Sequence, residues 1–458
     1  MRRTTTPRTG AGRGRSRRRL VAAAAATCAL SLAMAACGSD DDSADGGSPD
    51  DVEAALEEGG KLTVWAWSTT IREAAEAFDE AHDNITVELV NAGTNQDQYV
   101  ALQNAIDSGR GVPDVAQIEY YALPQYAIAE SVTDLSSFGA NELEGTFTPG
   151  TWNSVHPGGG EGIYGMPVDS GPMAMFYNKT VFDEAGIEVP TTWEEYVQAA
   201  RDLRAADSDS YIASDTGDAG FTTSMIWQAG GQPYQVDGTN VTIDFADEGS
   251  QRFADTWQQL IDEDLTTDVT GWTDEWYQAL GDGTIATLVT GAWMPPNFES
   301  GVANASGDWR VAPMPQWEDG GDFVTAENGG SSLAVLEASE KKPLAYAFAE
   351  YMTVGEGSQV MHDLGSFPAD TATLESEEFL NKEFEYFGGQ RANEILSESA
   401  ASVVPGWSYL PYQVYANSIF NDTVGQAYVS DTTLAEGLQD WQSQSETYGN
   451  DQGFTVNP

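Results

Sequence analysis

The chain has 458 residues, 41% hydrophobic and 10% aromatic, which argues against intrinsic disorder and allows two domains. Its 72 acidic and 20 basic residues give a net charge of −52, which disfavours nucleic acid, anionic lipid surfaces and anionic ligands as partners. Most of the acids are expected to form a solvated surface. A neutral or cationic small molecule is therefore the favoured ligand.

Cysteine and histidine are both scarce. The two cysteines, Cys28 and Cys37, lie near the N-terminus, so no disulfide and no cysteine metal site is predicted in the body of the chain. The three histidines, His82, His156 and His362, are too far apart in sequence to suggest a zinc cluster. We predict neither a metal nor another cofactor.

The N-terminus has the pattern of an export signal. Residues 1–19 are rich in arginine without an acid, and residues 20–36 are apolar and rich in alanine, too short and too weakly hydrophobic for a convincing transmembrane helix. Small residues then precede Cys37, which resembles the bacterial lipobox, where the peptide is cut before a lipidated cysteine. The pattern predicts a signal peptide over residues 1–36, a lipid anchor at Cys37 and a place on the extracytoplasmic face of the cell membrane.

The export route is left open, because residues 16–21 resemble a twin-arginine motif while arginine-rich signals also serve general secretion. Removing residues 1–36 would leave 12 basic residues against 72 acids, a net charge of −60. Residues 37–60 contain nine acids and no base, which predicts an extended, self-repelling tether. The membrane contact is expected through the lipid alone.

Strand and helix patterns alternate from residue 61 onward. Residues 61–67 alternate apolar and polar as in a strand, and residues 71–81 place apolar side chains at helical spacing. A second strand is predicted over residues 85–90, a helix over residues 99–106 and a third strand over residues 114–118. Repeated strand–helix–strand order predicts an α/β lobe with a mostly parallel sheet.

A second set of elements follows. Thr192 and Glu195 form the pattern of a capping box at the start of a helix. Residues 285–289 and 331–336 are apolar runs that predict buried strands, and the chain from about residue 378 is predicted to be mainly helical. The whole is α/β, with no internal repeat.

Six segments carry a family resemblance, in this order: residues 113–135, 162–195, 283–293, 309–315, 328–330 and 366–369. The second is the most specific, with the sequence GIYGMP at residues 162–167 followed by MFYNK at residues 175–179. Together these segments resemble the extracellular sugar-binding proteins of ABC importers, the group that includes maltose-binding protein. The resemblance covers most of residues 61–415.

The resemblance implies a two-lobed periplasmic-binding-protein-like fold, with several hinge crossovers and a ligand cleft between the lobes that closes on sugar. It places crossings near residues 169–171 and 327–329. Lobe 1 is predicted over residues 61–169 and 328–378, and lobe 2 over residues 170–327 and 379–458. The implied function is that of a monomeric receptor that delivers a mono- or oligosaccharide to the permease subunits of the importer.

The aromatic content agrees with a sugar site. A sugar presents flat C–H faces and a rim of hydroxyls, so its site needs aromatic platforms and short polar groups. The chain has 13 tryptophans, several at predicted strand ends or loops. The predicted ligand-binding residues are Trp67, Glu119, Tyr120, Asp169, Trp227, Trp272, Trp293, Asn328, Gly329 and Trp407.

The evidence for these residues differs. The family resemblance implies that Trp293 and Trp407 present an aromatic face to the sugar, and it supports Asp169, Glu119 and Asn328 as polar partners. Any single tryptophan can instead belong to the core or to packing between the lobes. That alternative stays open for each of them at this point.

The sequence provides little support for catalysis. The glycines at 160, 162 and 165 match a dinucleotide fingerprint by letter, but Met166-Pro167 follow instead of a helix. No phosphate-binding loop, zinc-protease or serine-hydrolase motif occurs. The chain is predicted not to be an enzyme. The alternatives are a receptor of the same fold for a polyol, polyamine, iron or another solute, and a surface glycosidase acting through a carboxylate pair.

Overall fold

The computed structural model describes residues 47–457, so the predicted signal peptide and Cys37 lie outside the described residues. The strands, β1 to β13 in chain order, are Gly60–Trp65, Ile85–Val90, Val115–Glu119, Met166–Pro167, Met173–Asn178, Ala213–Ser214, Tyr234–Asp237, Asn240–Ile243, Thr266–Thr267, Thr287–Gly291, Trp309–Ala312, Ser331–Val335 and Thr455–Asn457.

The helices, α1 to α18 in chain order, are Pro49–Glu58, Thr69–Ala81, Gln96–Ser108, Leu123–Ile128, Pro149–Ser154, Lys179–Ala185, Trp193–Ala206, Ala219–Gln228, Glu248–Asp262, Asp274–Asp282, Pro295–Gly301, Lys342–Val354, Glu356–Asp363, Thr371–Leu374, Glu377–Leu380, Ala392–Ala401, Gln413–Ser418 and Leu434–Asp451. The predicted capping box is present, since the Thr192 hydroxyl accepts from the Glu195 N–H and the Glu195 carboxylate accepts from the Thr192 N–H. No helix in residues 47–457 is long and apolar enough to cross a membrane.

Lobe 1 is built on a five-stranded sheet in the order β2-β1-β3-β12-β4. Strands β2, β1 and β3 are parallel, as their strand–helix–strand order predicts, and β12 pairs antiparallel with β3 and β4. Strand β12 can run the other way because it enters directly from an interlobe crossing rather than through a crossover helix. The carboxyl end of β3 and the start of β12 therefore meet at the same edge of the sheet.

Lobe 2 contains a three-stranded antiparallel sheet in the order β10-β5-β11. Smaller sheets, β13-β8-β7 and β6-β9, lie in the same part of the chain. Strand β10 ends at Gly291, so Trp293 follows its carboxyl end by two residues. A ligand-facing aromatic ring is predicted at this end of β10.

The buried apolar residues form one core in lobe 1 and two in lobe 2. The lobe 1 core takes its members from residues 52–168 and 333–369, and the lobe 2 cores take theirs from residues 173–326 and 367–441. Phe367 and Leu374 pack in a lobe 2 core, although the predicted bounds include them in lobe 1. The predicted boundary near residue 378 remains a prediction.

The expected acidic tether is wrong over residues 49–58, which form helix α1. Ser48 caps the helix by accepting from the Asp51 N–H, and the Asp51 carboxylate accepts from the Ser48 N–H. Pro49 suits the first helical position, and two acids in the first turn complement the helix dipole. Val52 is buried in the lobe 1 core, and the helix packs on α12. This capping pattern is visible in the sequence, but the density of negative charge masks it.

The two predicted crossings lie side by side. The Asn328 N–H donates to the Gly171 carbonyl oxygen at 2.7 Å, and the Met173 N–H donates to the Ala326 carbonyl oxygen at 2.9 Å. Between them the Glu327 carboxylate accepts from the Gly171 N–H at 2.6 Å. Backbone and side chain together join the crossings into a short two-stranded ribbon.

Candidate functional site

A cleft of about 1270 Å³ opens between the lobes, beside these crossings. Its lining comes from the carboxyl ends of β1 and β3 in lobe 1, from the loops around α8 and α10 and the end of β10 in lobe 2, and from the crossings themselves. Residues 409–421 of the C-terminal part also contribute. The cleft is thus assembled from segments that are hundreds of residues apart.

Three tryptophans form an aromatic wall on the lobe 2 side. The ring of Trp272 lies 5.7 Å from that of Trp293 and 5.2 Å from that of Trp276, measured between centroids. Trp276 is buried, whereas Trp272 is 57% exposed and has a φ of +66°, in the left-handed region that is costly for an aromatic residue. The wall therefore presents unburied aromatic surface to the cleft.

Trp293 connects this wall to a crossing. Its indole Nε1–H donates to the carbonyl oxygen of Asn328 at 2.7 Å. The Asn328 side-chain amide donates to the Ser224 hydroxyl at 3.2 Å, and Ser224 in turn donates to the Glu327 carbonyl oxygen at 2.8 Å. The position of the ring is thus set by hydrogen bonds to backbone that passes between the lobes.

The lobe 1 side presents a carboxylate held by phenol and amide donors. The Tyr99 hydroxyl donates to Glu119 at 2.9 Å, and the Asn95 amide, with its nitrogen turned toward Glu119, donates to the same carboxylate at 2.8 Å. Burial raises the pKa of Glu119 to about 7, against the opposing effect of hydrogen bonds from Tyr99 and Tyr121. Asn95 has a φ of +52°, so it adopts a strained backbone beside this carboxylate.

Asp169 lies at the first crossing and is fixed by the start of β12. Its carboxylate accepts from the Ser331 N–H at 2.6 Å and from the Ser331 hydroxyl at 2.8 Å. Burial raises the pKa of Asp169, and the Ser331 donors oppose this effect. Its carbonyl oxygen accepts from the Tyr120 hydroxyl at 2.8 Å. Asp169 thus reaches the cleft from a rigid position.

Two further carboxylates line the lobe 2 side. Asp218 caps helix α8 by accepting from the Phe221 N–H at 2.6 Å, and Asp215 accepts from the Trp257 indole at 2.6 Å and the Tyr428 hydroxyl at 2.9 Å. The pKa of each carboxyl is raised by burial, and its hydrogen-bond donors counter this. The Asp218 residue itself is nevertheless exposed in the cleft.

Seven of the ten predicted ligand-binding residues line the cleft: Trp67, Glu119, Asp169, Trp272, Trp293, Asn328 and Gly329. They come together because they follow strand ends or lie at the crossings, as expected. Their contact with a ligand stays a prediction.

The other three predicted residues do not line the cleft, and this corrects the sequence analysis. Trp407 is 4% exposed and stacks on the buried Trp227, with ring centroids 5.0 Å apart and an 8° interplanar angle. The Trp227 indole donates to the Val404 carbonyl oxygen at 2.7 Å. Tyr120 is buried under Gly330 and acts through its bond to Asp169. The Pro-Gly turn before Trp407 directs it into the core of lobe 2, where apolar burial stabilises the fold.

Several lining residues escaped sequence analysis: Asn95, Gln117, Tyr121, Asp215, Asp218, Ser331 and Tyr409. Two of them carried a usable signal. Asn95 directly precedes helix α3, and Asp218 precedes helix α8, each at a position that favours capping residues. The remaining residues have no local pattern that separates them from ordinary polar positions.

The arrangement suits a polyhydroxyl ligand. Among the described residues that line the cleft, none is lysine, arginine or histidine, whereas four are carboxylates. Carboxylates accept hydrogen bonds from hydroxyls, amides both donate and accept, and indole rings cover C–H faces. The cleft can therefore bind a neutral sugar and repels an anionic one.

The family model for bacterial extracellular solute-binding proteins matches residues 66–357. Among solved structures, the chain is similar to the ABC transporter associated binding protein from B. animalis subsp. lactis Bl-04 in complex with β-1,6-galactobiose. The two are 44% identical with a TM-score of 0.79, and the match covers 87% of this chain and 99% of the other.

Two further proteins are more distant. The galacto-N-biose-/lacto-N-biose I-binding protein from Bifidobacterium longum, solved with lacto-N-biose, is 26% identical with a TM-score of 0.73, over 87% of this chain and 98% of that one. An arabinooligosaccharide-binding protein of Halalkalibacterium halodurans is 26% identical over 82% of this chain and 86% of the relative.

Proposed function

The chain belongs to the bacterial extracellular solute-binding proteins, and from that premise we propose that it is the receptor of an ABC importer for a neutral, galactose-containing oligosaccharide. One observation carries the proposal. A cleft between two lobes has an aromatic wall at Trp272 and Trp293, carboxylates and amides elsewhere in its lining, and no cation among its described lining residues. The similarity to the protein solved with β-1,6-galactobiose supports the sugar class.

The size of the cleft supports an oligosaccharide over a single sugar ring. A volume of about 1270 Å³ exceeds the roughly 300–1,000 Å³ of common small-molecule pockets. Closure of the lobes around a ligand is expected to reduce this volume. A disaccharide or a short oligosaccharide fits this range.

The direct test is a thermal-shift and calorimetry panel. We expect β-1,6-galactobiose or a related β-galactoside to raise the melting temperature, because a ligand at 100 times its Kd stabilises the folded state by about 2.7 kcal/mol. Maltose and arabinooligosaccharides test specificity, and an anionic digalacturonate is the control that should leave the melting temperature unchanged. A panel in which spermidine binds and no neutral sugar does would replace the proposal with a polyamine receptor.

The protein is proposed to act without catalysis, delivering its sugar unchanged to a permease as a monomer. Glu119, Asp169 and Asp218 each already accept hydrogen bonds from protein donors, which suits ligand binding. Chromatography of β-1,6-galactobiose after long incubation with the protein should recover the intact disaccharide. Release of galactose would support the glycosidase alternative instead.

We also propose that Cys37 carries a lipid and holds the protein at the outer face of the cell membrane. The support is the export pattern of residues 1–36 and the absence of a membrane-spanning helix from residues 47–457. Since α1 is folded against lobe 1, only residues 37–46 separate the proposed anchor from the described domain.

A further inference from the structure

The indole N–H of Trp293 connects the aromatic wall of the cleft with the peptide that carries the second crossing. Trp293 follows β10 of lobe 2, whereas its acceptor, the Asn328 carbonyl oxygen at 2.7 Å, lies three residues before β12 of lobe 1. The adjacent Ala292 N–H donates to the Pro172 carbonyl oxygen at 3.0 Å, on the first crossing. One short segment of lobe 2 therefore contacts both crossings.

Three glycines from separate segments leave room for this contact. A Cβ on Gly171 would lie 2.2 Å from the Asn328 carbonyl oxygen, and one on Gly291 would lie 2.3 Å from the Trp293 Nε1. A Cβ on Gly329 would lie 3.0 Å from the same nitrogen. Any larger residue at the first two positions would displace the indole or the carbonyl, so the close approach requires glycine there.

The carbonyl group that accepts the indole hydrogen bond belongs to a peptide whose orientation depends on the hinge. The Asn328 carbonyl shares its peptide plane with the Gly329 N–H, and Gly329 and Gly330 have φ values of +80° and +88°. Glycine pairs of this kind absorb the backbone rotation that domain closure needs. Rotation about the bonds on either side of this peptide would move the carbonyl off the indole.

We propose that Trp293 is a positioning residue for lobe closure. The sugar packs on its ring, and its N–H holds the Asn328–Gly329 peptide in the orientation described above while the lobes close. Occupancy of the cleft is thereby linked to the hinge through one hydrogen bond. This inference rests on the proposed function for its ligand, although the link between ring and crossing does not depend on which sugar binds.

The test separates the ring from the N–H. Trp293→Phe keeps an aromatic face and removes the donor. Trp272→Phe is the matched control, because its ring lines the same cleft and its indole is not bonded to the crossing. Residues 47–457 contain no cysteine, so Asn104→Cys on α3 and Glu184→Cys on α6 accept one spin label on each lobe. The measurements use the full chain with Cys28 and Cys37 replaced by serine, with and without saturating β-1,6-galactobiose.

In the wild-type background we expect the sugar to shorten the distance between labels into one narrow distribution. Trp293→Phe should bind the sugar about three- to tenfold more weakly, the range for one lost hydrogen bond. At saturation it should still populate open distances, and without sugar its distribution should be broader than that of the wild type. Trp272→Phe should lose affinity but close fully. A melting curve for each variant confirms that it is folded.

Distributions of Trp293→Phe that overlay those of the wild type, with and without sugar, would overturn the inference. Equal broadening of the label distances in Trp272→Phe would also overturn the inference, because loss of indole ring area alone would then explain the effect. If the sugar has no effect on the wild type, the proposed ligand class fails on its own. In that case the label distances measured without sugar test the link between Trp293 and the hinge. A broader distribution in Trp293→Phe than in the wild type supports the link, and equal distributions contradict it.

Discussion

At the scale of single residues, tryptophans with similar sequence surroundings have opposite roles. Trp272 and Trp407 both follow a glycine in a turn, yet the first is 57% exposed in the cleft and the second is 4% exposed in the lobe 2 core. Trp407 is enclosed by Trp227 and by Tyr234, whose ring centroid lies 5.9 Å away. Each ring has three aromatic neighbours, so burial of the ring, rather than the turn before it or the number of aromatic neighbours, separates the two roles.

This difference predicts two contrasting alanine variants. Trp407→Ala should lower the free energy of unfolding by about 3–5 kcal/mol through the cavity it leaves, with little change in sugar affinity. Trp272→Ala should change the free energy of unfolding by less than about 1 kcal/mol. Its affinity should fall about ten- to seventyfold, because some 60–100 Å² of ring contact at about 25 cal/mol per Å² is lost.

Urea denaturation and calorimetry on both variants provide the measurement. Each variant is the other's control, because both replace the same indolylmethyl side chain by a methyl group. If Trp407→Ala binds far more weakly at full stability, then Trp407 belongs to the site and its placement in the core is wrong.

At the scale of elements, the two crossings depend on a buried carboxylate. Glu327 is 1% exposed and accepts from the Gly171 N–H at 2.6 Å and from the Ser170 hydroxyl at 2.9 Å. Burial raises its pKa from the ordinary 4.5 to about 7, against these two donors, and the negative charge of Asp169 raises it further. Tyr120 and Tyr409 also face it. The hinge thus contains an acid that titrates near neutrality.

The raised pKa predicts a pH dependence of stability. Between pH 4.5 and 7 the folded protein keeps a proton on Glu327 that the unfolded chain has lost, so the free energy of unfolding falls as the pH rises through this window. The glutamine in Glu327→Gln cannot titrate. From pH 4.5 to 7.5 the free energy of unfolding of this variant should therefore fall less than that of the wild type, by up to about 3 kcal/mol.

Urea denaturation at these two pH values measures the difference. Glu184→Gln, at an exposed position of α6, is the control and should follow the wild type. If the free energy of unfolding changes equally with pH in the wild type and in Glu327→Gln, then Glu327 is already ionised at low pH. The comparison is made between variants, because other carboxyls of the cleft also have raised pKa values.

At the scale of the whole molecule, helix α1 is part of lobe 1, which shortens the segment that can serve as a tether. If Cys37 is lipidated, the ten residues 37–46 can span at most about 35 Å at full extension. A tether reaching to residue 60 would have more than twice that reach. Because α1 packs on α12, a lipid on Cys37 would attach the protein through lobe 1.

The anchor itself is testable in the native host. Cys37→Ser should leave the protein unprocessed or release it from the membrane fraction, whereas Cys28→Ser, inside the predicted signal peptide, should not change the mature form. Mass spectrometry of the membrane fraction detects the lipid on Cys37. An unmodified Cys37 in membrane-bound wild-type protein would contradict the lipid anchor.

Sequence alone determined the class of the molecule and most of its elements. Local periodicity and neighbours within a few residues are visible directly in a sequence. They were enough to predict the α/β alternation, the capping box at Thr192 and the family to which the segments point. Seven of the cleft residues were also found, because strand ends and glycine turns mark the edges of a sheet.

Only the tertiary structure decided which aromatic residues are buried and which carboxylates meet in the cleft. Trp227 and Trp407 stack although 180 residues separate them, and the Trp293 indole reaches a carbonyl 35 residues further along the chain. Helix α1 also depends on α12, because burial of Val52 against lobe 1 adds to the local capping in offsetting the repulsion among its acids. Burial and hydrogen-bond partners are properties of segments that are distant in the chain and adjacent in space, so no local pattern contains them.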